Sequence, residues 1–155
     1  MKPKDLIEHA KRLSKSATKK PRQADLRRAV SASYYALFHS VAGTCADTLI
    51  GTTVAHRASQ TWRRVFRSLD HSHAKAQCTT KKTSLVPAGL EPVADAFVAL
   101  QEQRHLADYD PQAQFLLRDV QAHISQAENA IALLDDASVG DRRIFAAWVI
   151  FKPKA

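Results

Sequence analysis

Between Ala24 and Leu49 the apolar residues Leu26, Val30, Tyr34, Leu37, Val41 and Cys45 recur every three or four positions, with no proline to break the run. That period matches the turn of an α-helix and predicts one continuous helix of roughly 40 Å at 1.5 Å per residue. The chain has 155 residues, 4 glycines and 6 prolines, so it lacks the turn residues that a many-stranded sandwich consumes. The expected fold class is all-α: an antiparallel bundle of five or six helices, in a single domain covering residues 1–155.

Other stretches carry the same period. In residues 5–17, Leu6, Ala10, Leu13 and Ala17 share a face, and Pro21 closes the polar link that follows. Gly51 ends the long helix, and Thr53 offers an N-cap to a third one whose expected buried face is Ala58, Trp62, Val65, Phe66 and Leu69. Residues 75–89 show no period and read as a loop. A fourth helix turns Val93, Phe97 and Leu100 inward. Asp110-Pro111 then reads as an N-cap with proline at the first helical position. The fifth helix carries Leu117, Val120, Ile124, Ala127, Ile131 and Leu134 as a coiled-coil-like seam. Asp141 is expected to cap a short last helix over 142–152, with a strand there as the alternative.

Charge is unevenly spread. The net charge is +8, yet residues 1–28 hold ten basic and three acidic side chains, and residues 57–82 hold seven basic ones against Asp70. Residues 83–141 reverse this, with ten acids against Arg104 and Arg118. A cationic first half suggests an anionic partner or an electrostatic docking surface, although solvated helix faces give the same pattern. No apolar stretch approaches the ~20 residues that span a bilayer, and the opening MKPKDLIEHAKRL lacks a signal peptide's apolar run. No membrane partner and a cytoplasmic location are therefore expected. Cys45 and Cys78 are too few for a disulfide framework and read as reduced thiols. There is no glycine-rich phosphate loop and no metal-ligand spacing among His9, His56 and His105, so no cofactor and no metal site are expected.

Two places carry chemistry. The first is a polar set, Arg57, Gln60, Arg64, Arg67 and His71, which is expected on one stripe of the third helix, opposite Trp62, Phe66 and Leu69. Such a stripe can track a phosphate backbone, because each Lys or Arg displaces a condensed counterion; Arg57, Arg64, Arg67 and His71 are the candidate RNA-binding residues. The second is RHLADYDP at 104–111. The inward series Val93, Phe97, Leu100 continues to Arg104, so a guanidinium stands where the period asks for an apolar side chain. A buried arginine needs carboxylate or carbonyl partners. Asp108, one turn on, supplies the plain structural explanation, an ion pair at the helix end. Upstream, Tyr34, Tyr35, Phe38 and His39 suit a bundle core, from which a tyrosine hydroxyl or His39 could reach Arg104.

RRAVSASYYALFHSV (27–41) together with RHLADYDP (104–111) resembles the HEPN family, the helical domain named for nucleotide binding in higher eukaryotes and prokaryotes. The resemblance covers nearly the whole chain. It implies a helical bundle that pairs through the face carrying the arginine motif, in a setting of toxin–antitoxin pairs or phage defence. It also implies RNA or a nucleotide as ligand, with an antitoxin or other protein as a further partner. Catalytic members carry an Arg, a polar residue, and a His five to seven positions after the Arg. Arg104 and His105 match the start, but Tyr109, Asp110 and Pro111 occupy the histidine's place. Binding at a dimer-interface pocket around Arg104 is thus the first expectation. A metal-independent ribonuclease using Arg104 with His105, Asp108 or Tyr109 is the alternative, and a non-catalytic dimerisation module the third. Apart from the resemblance, Ile144, Phe145, Trp148 and Phe151 form an apolar face with no assigned cover, which also points to a homodimer.

Overall fold

The computed structural model describes residues 2–15, 20–80 and 86–154. Every regular element among them is helical: α1 (Pro3–Lys15), α2 (Gln23–Leu49), α3 (Val54–Ala58), α4 (Gln60–Arg67), α5 (His71–Thr80), α6 (Glu91–Tyr109), α7 (Leu117–Asp136) and α8 (Val139–Ile150), with a 3₁₀ turn at Ala88–Leu90. The all-α expectation holds, but the described helices number eight rather than five or six. None is long and apolar enough to cross a membrane.

The chain falls into two compact units, Met1–His39 with Ala96–Ile131, and Ser40–Asp95 with Ala132–Ala155. In the first unit the apolar face of α2 is fully buried at Val30, Tyr34 and Leu37, and Tyr34 meets Phe97 of α6 edge to face at 5.7 Å between ring centroids. Lys11 of α1 pairs with Glu128 of α7 at 2.9 Å. The buried side of α1 is Ile7, Ala10 and Ser14, one step round from the expected Leu6, Ala10 and Leu13; Ala17 lies outside the described residues. Of the expected seam of α7, Val120, Ile124 and Ala127 are buried in this unit, while Leu117 and Ile131 are half-buried.

The second unit accounts for the extra helices. Gly51 does end α2, with φ +134°, and any side chain there would collide with the His56 ring. Thr53 does cap α3, accepting from the His56 N–H. The expected single third helix, however, breaks at Ser59. This residue is extended (φ −73°, ψ 152°), donates its hydroxyl to the His56 carbonyl and accepts from the Trp62 N–H. One serine thus ends α3 and caps α4, which resets the helical phase between them. Neither short helix buries a residue fully, so of the expected buried face only Leu69 lies in the core, while Trp62, Val65 and Phe66 are half-covered and Ala58 is exposed.

The expected loop at 75–89 is also corrected. Helix α5 runs through Thr80, started by Asp70, whose carboxylate accepts from the His73 N–H at 2.7 Å and is held below its ordinary pKa range chiefly by that bond. Its sequence is polar, and contacts with α8 hold it. Trp148 donates its indole N–H to the Gln77 carbonyl at 3.0 Å, Gln77 donates to the Trp148 carbonyl at 3.1 Å, and the His73 ring donates to the Phe151 carbonyl at 2.9 Å. Tertiary contact outweighs weak propensity here. Residues 81–85, with Lys81 and Lys82, lie outside the described residues.

Helix α8 is a helix and not a strand, and Ser138 rather than Asp141 caps it, accepting from the Asp141 N–H. Phe145 is completely buried and Trp148 half-buried, so only Ile144 and Phe151 remain exposed of the apolar face reserved for a partner. Both cysteines are buried thiols outside any disulfide. Burial pushes the Cys45 thiol up to about 12.

Candidate functional site

Helix α6 carries its period to the end. Val93, Phe97, Leu100, Arg104 and Ala107 are all buried, at alternating steps of four and three, and Asp108 falls just outside the stripe. Arg104 is 9% exposed. Its guanidinium carbon lies 5.2 Å from the centroid of Tyr34, 5.5 Å from Tyr35 and 5.9 Å from Tyr109. Three ring faces therefore do most of the work that water would do for this charge. Its Nη1 stands 3.5 Å from Asp108 Oδ2, too long for a strong hydrogen-bonded pair, and Nε is buried with no hydrogen-bond partner among the described residues. Burial opposes the charge; Tyr35, Tyr34, Asp108 and a hydrogen bond with Tyr109 outweigh it, and the pKa rises above its ordinary value. The result is a permanent cation with incomplete hydrogen bonding.

The remaining residues of the motif lie on the exposed side. The His105 ring packs on that of Tyr109 at 5.0 Å, and Tyr109 is 66% exposed. Of the expected set, then, Arg104 contacts both Asp108 and Tyr109, and His105 packs on Tyr109.

The link from α6 to α7 is built differently from the expectation. Asp110-Pro111 does not begin α7, which starts at Leu117. Asp110 instead accepts from the Gln112 N–H at 2.9 Å, a local turn closed by its own side chain. Two residues of α2 pin the link. Arg27 donates to the carbonyls of Ala107, Asp110 and Ala113 at 3.0, 2.8 and 2.5 Å, and Gln23 both accepts from the Phe115 N–H and donates to the Phe115 carbonyl at 2.9 Å. Sequence reasoning missed both. The available signal was their position on α2, at the edge of the Leu26–Val30–Tyr34 stripe, where a polar side chain borders a core.

Beside this link lies an open cleft of about 560 Å³. Helix α1 lends it His9, α6 lends Ala107 and Asp108, and α2 lends Ala24, Arg27, Arg28, Ser31, Ala32 and Tyr35. Ala24, Arg28, Ser31 and Tyr35 follow one another at four- and three-residue steps and so share one face of α2. Arg104 is not among the lining residues, although its partners Asp108 and Tyr35 are.

The basic set in the second unit is not a stripe of one helix. Arg57 lies on α3, Arg64 and Arg67 on α4, and His71 opens α5. Arg57 is held bidentately by Asp47, at 2.9 and 2.8 Å, and the same carboxylate accepts the Trp62 indole N–H at 2.9 Å. Arg64 and Arg67 are exposed without ion pairs among the described residues, and so is Arg63, which the stripe reading left out. On the same helix Trp62 stacks on Phe66 at 5.2 Å. Among the described residues no group of three or more histidine, cysteine or acidic side chains is placed to hold a metal ion.

Comparison of the chain with protein-family models, with curated proteins and with solved structures yields no match.

Proposed function

We propose that this chain is a HEPN-like domain that binds RNA or a nucleotide at the Arg104 end of α6. The observation that carries the reading is Arg104 itself, a permanent cation held in three tyrosine rings, whose partners Asp108 and Tyr35 open onto a cleft of about 560 Å³. A charge needed only to close a helix end has no use for a surrounding of that kind, because water or the Asp108 carboxylate suffices. Binding is proposed through a homodimer, supported by the exposed Leu106, Tyr109 and Leu116 beside the motif.

Metal-independent RNA cleavage is the second reading, favoured by the contact of the His105 imidazole with Tyr109, whose ring also packs against Arg104. A labelled single-stranded RNA of mixed sequence, incubated with the protein in chelator, separates the two. Retarded but intact RNA is the expected result, and shortened RNA supports cleavage. No retardation, no shortening and no nucleotide binding by calorimetry would remove the reading, leaving a dimerisation module. Light scattering tests the dimer, and a monomer throughout the micromolar range would exclude it.

A further inference from the structure

We infer that the cleft takes a phosphomonoester, that Arg28 is the cation that meets it, and that Arg104 is a positioning residue behind it; this rests on the nucleotide reading above. Of the two arginines that line the cleft, Arg27 already donates to three backbone carbonyls. Arg28 is exposed and makes no ion pair among the described residues, so an unneutralised charge borders the cleft. Ser31, on the same face of α2, adds a hydroxyl, and His9 adds an imidazole from α1. A planar fork, a hydroxyl and a ring N–H are donors suited to a phosphate.

Asp108 limits what else can enter. A carboxylate repels the phosphate and accepts from hydroxyl or amine groups, so the ligand must carry an anion at one place and donors at another. Nucleotides do. A terminal phosphate, with about −1.5 to −2 charge and three acceptor oxygens, uses the donor set more fully than an internal diester. The volume of about 560 Å³ suits one small molecule rather than a duplex. Arg104, 9% exposed, sits outside the lining but fixes two of its members, Asp108 through the ion pair and Tyr35 through its ring.

The test is calorimetry of the full chain with the four ribonucleoside 5′-monophosphates, their nucleosides, and the single-stranded RNA above. At least one monophosphate is expected to bind more tightly than its nucleoside. Arg28→Gln should weaken that monophosphate roughly ten- to a hundredfold and leave the nucleoside unchanged, so that the preference for phosphate disappears. Arg104→Lys keeps the charge but loses the flat face the tyrosines hold. It should weaken monophosphate and nucleoside by the same factor, leaving their ratio intact. A phosphate preference that survives Arg28→Gln, or one that falls in Arg104→Lys alone, overturns the inference while nucleotide binding stands. Binding of RNA without any monophosphate also overturns it alone. Absence of all binding removes both.

Discussion

Arg104 in the first unit and Arg57 in the second are each paired with an aspartate, and the two pairs are opposites. Arg57 has the better geometry, a bidentate fork at 2.8–2.9 Å, but its own side chain is 54% exposed. Arg104 has the poorer contact, 3.5 Å through one nitrogen, but its side chain is only 11% exposed and three tyrosine rings surround it. An exposed fork staples two helices at small net gain, since screening and side-chain entropy offset the attraction. A buried guanidinium against ring faces is worth more, because no water competes for it. The better-looking ion pair is thus the less consequential one, and an anion that meets Arg57 has to compete with Asp47 for it.

The largest expected effect follows directly. Arg104→Ala should destabilise the protein by about 3 kcal/mol, as three ring faces lose their cation and Asp108 its partner. For a chain of this length that lowers the melting temperature by roughly 6–12 °C. Held ready for an anion with no other task, Arg104 would leave stability nearly unchanged when removed; the tyrosine surround gives it a structural task as well. A melt within 2 °C of the wild type would break the comparison, because it would equate Arg104 with Arg57.

Arg27→Ala comes next, at about 2 kcal/mol, since three carbonyls lose a charged donor and only some of them regain water. Lysine should not restore it, because an ammonium cannot span three acceptors as a guanidinium fork does. Hydrogen exchange localises the effect. Amides of 110–116 should exchange faster in Arg27→Ala while those of α2 keep their protection, and uniform acceleration would mean that Arg27 supports the unit as a whole.

The sequence carried some of this and not the rest, for reasons that differ by region. Long helices with a three-four apolar period, α2, α6 and α7, declare themselves by that period alone, even where, as in α2 from Ala29 to Thr48, no side of the helix is exposed. Arg104 was visible for the same reason, as a charge in an apolar slot, and a tyrosine of α2 was expected within its reach; that ring faces rather than a hydroxyl meet it was not legible, since Tyr34 and Tyr35 lie about seventy positions away and only packing sets their geometry. The stretch from Thr53 to Thr80 misled. A polar helix such as α5 is held by Trp148 and Phe151, far along the chain, and Ser59 reads as an ordinary surface residue until its hydroxyl is seen serving two helices. The basic stripe was lost with it, because a stripe exists only while the helical phase is unbroken.

A smaller effect sharpens the contrast from the side of Arg57. Asp47→Ala should cost about 1 kcal/mol or less, through an exposed ion pair and one indole hydrogen bond. It also frees a cation beside α4. If nucleic acid uses this face, the substitution should tighten binding and steepen its salt dependence by about one unit. An unchanged slope would mean that RNA does not touch α3, whatever holds Arg57.

The smallest stability effect is expected at Arg64 and Arg67. Both are exposed without ion pairs among the described residues, so Arg64→Ala and Arg67→Ala should each change stability by no more than about 0.5 kcal/mol. Binding is where they can matter. A free arginine has no internal partner to surrender, so each contact with a phosphate backbone is gained without breaking another, and each loss should lower the salt slope by about one unit for all RNA sequences alike. Arg63→Ala, on the same short helix, shows whether the surface or the original pattern matters. A slope reduced equally by all three substitutions would assign binding to the exposed arginines of α4. Slopes reduced by Arg64→Ala and Arg67→Ala but not by Arg63→Ala would restore a directional face, and three unchanged slopes would leave α4 as solvated surface, with any nucleotide bound in the first unit alone.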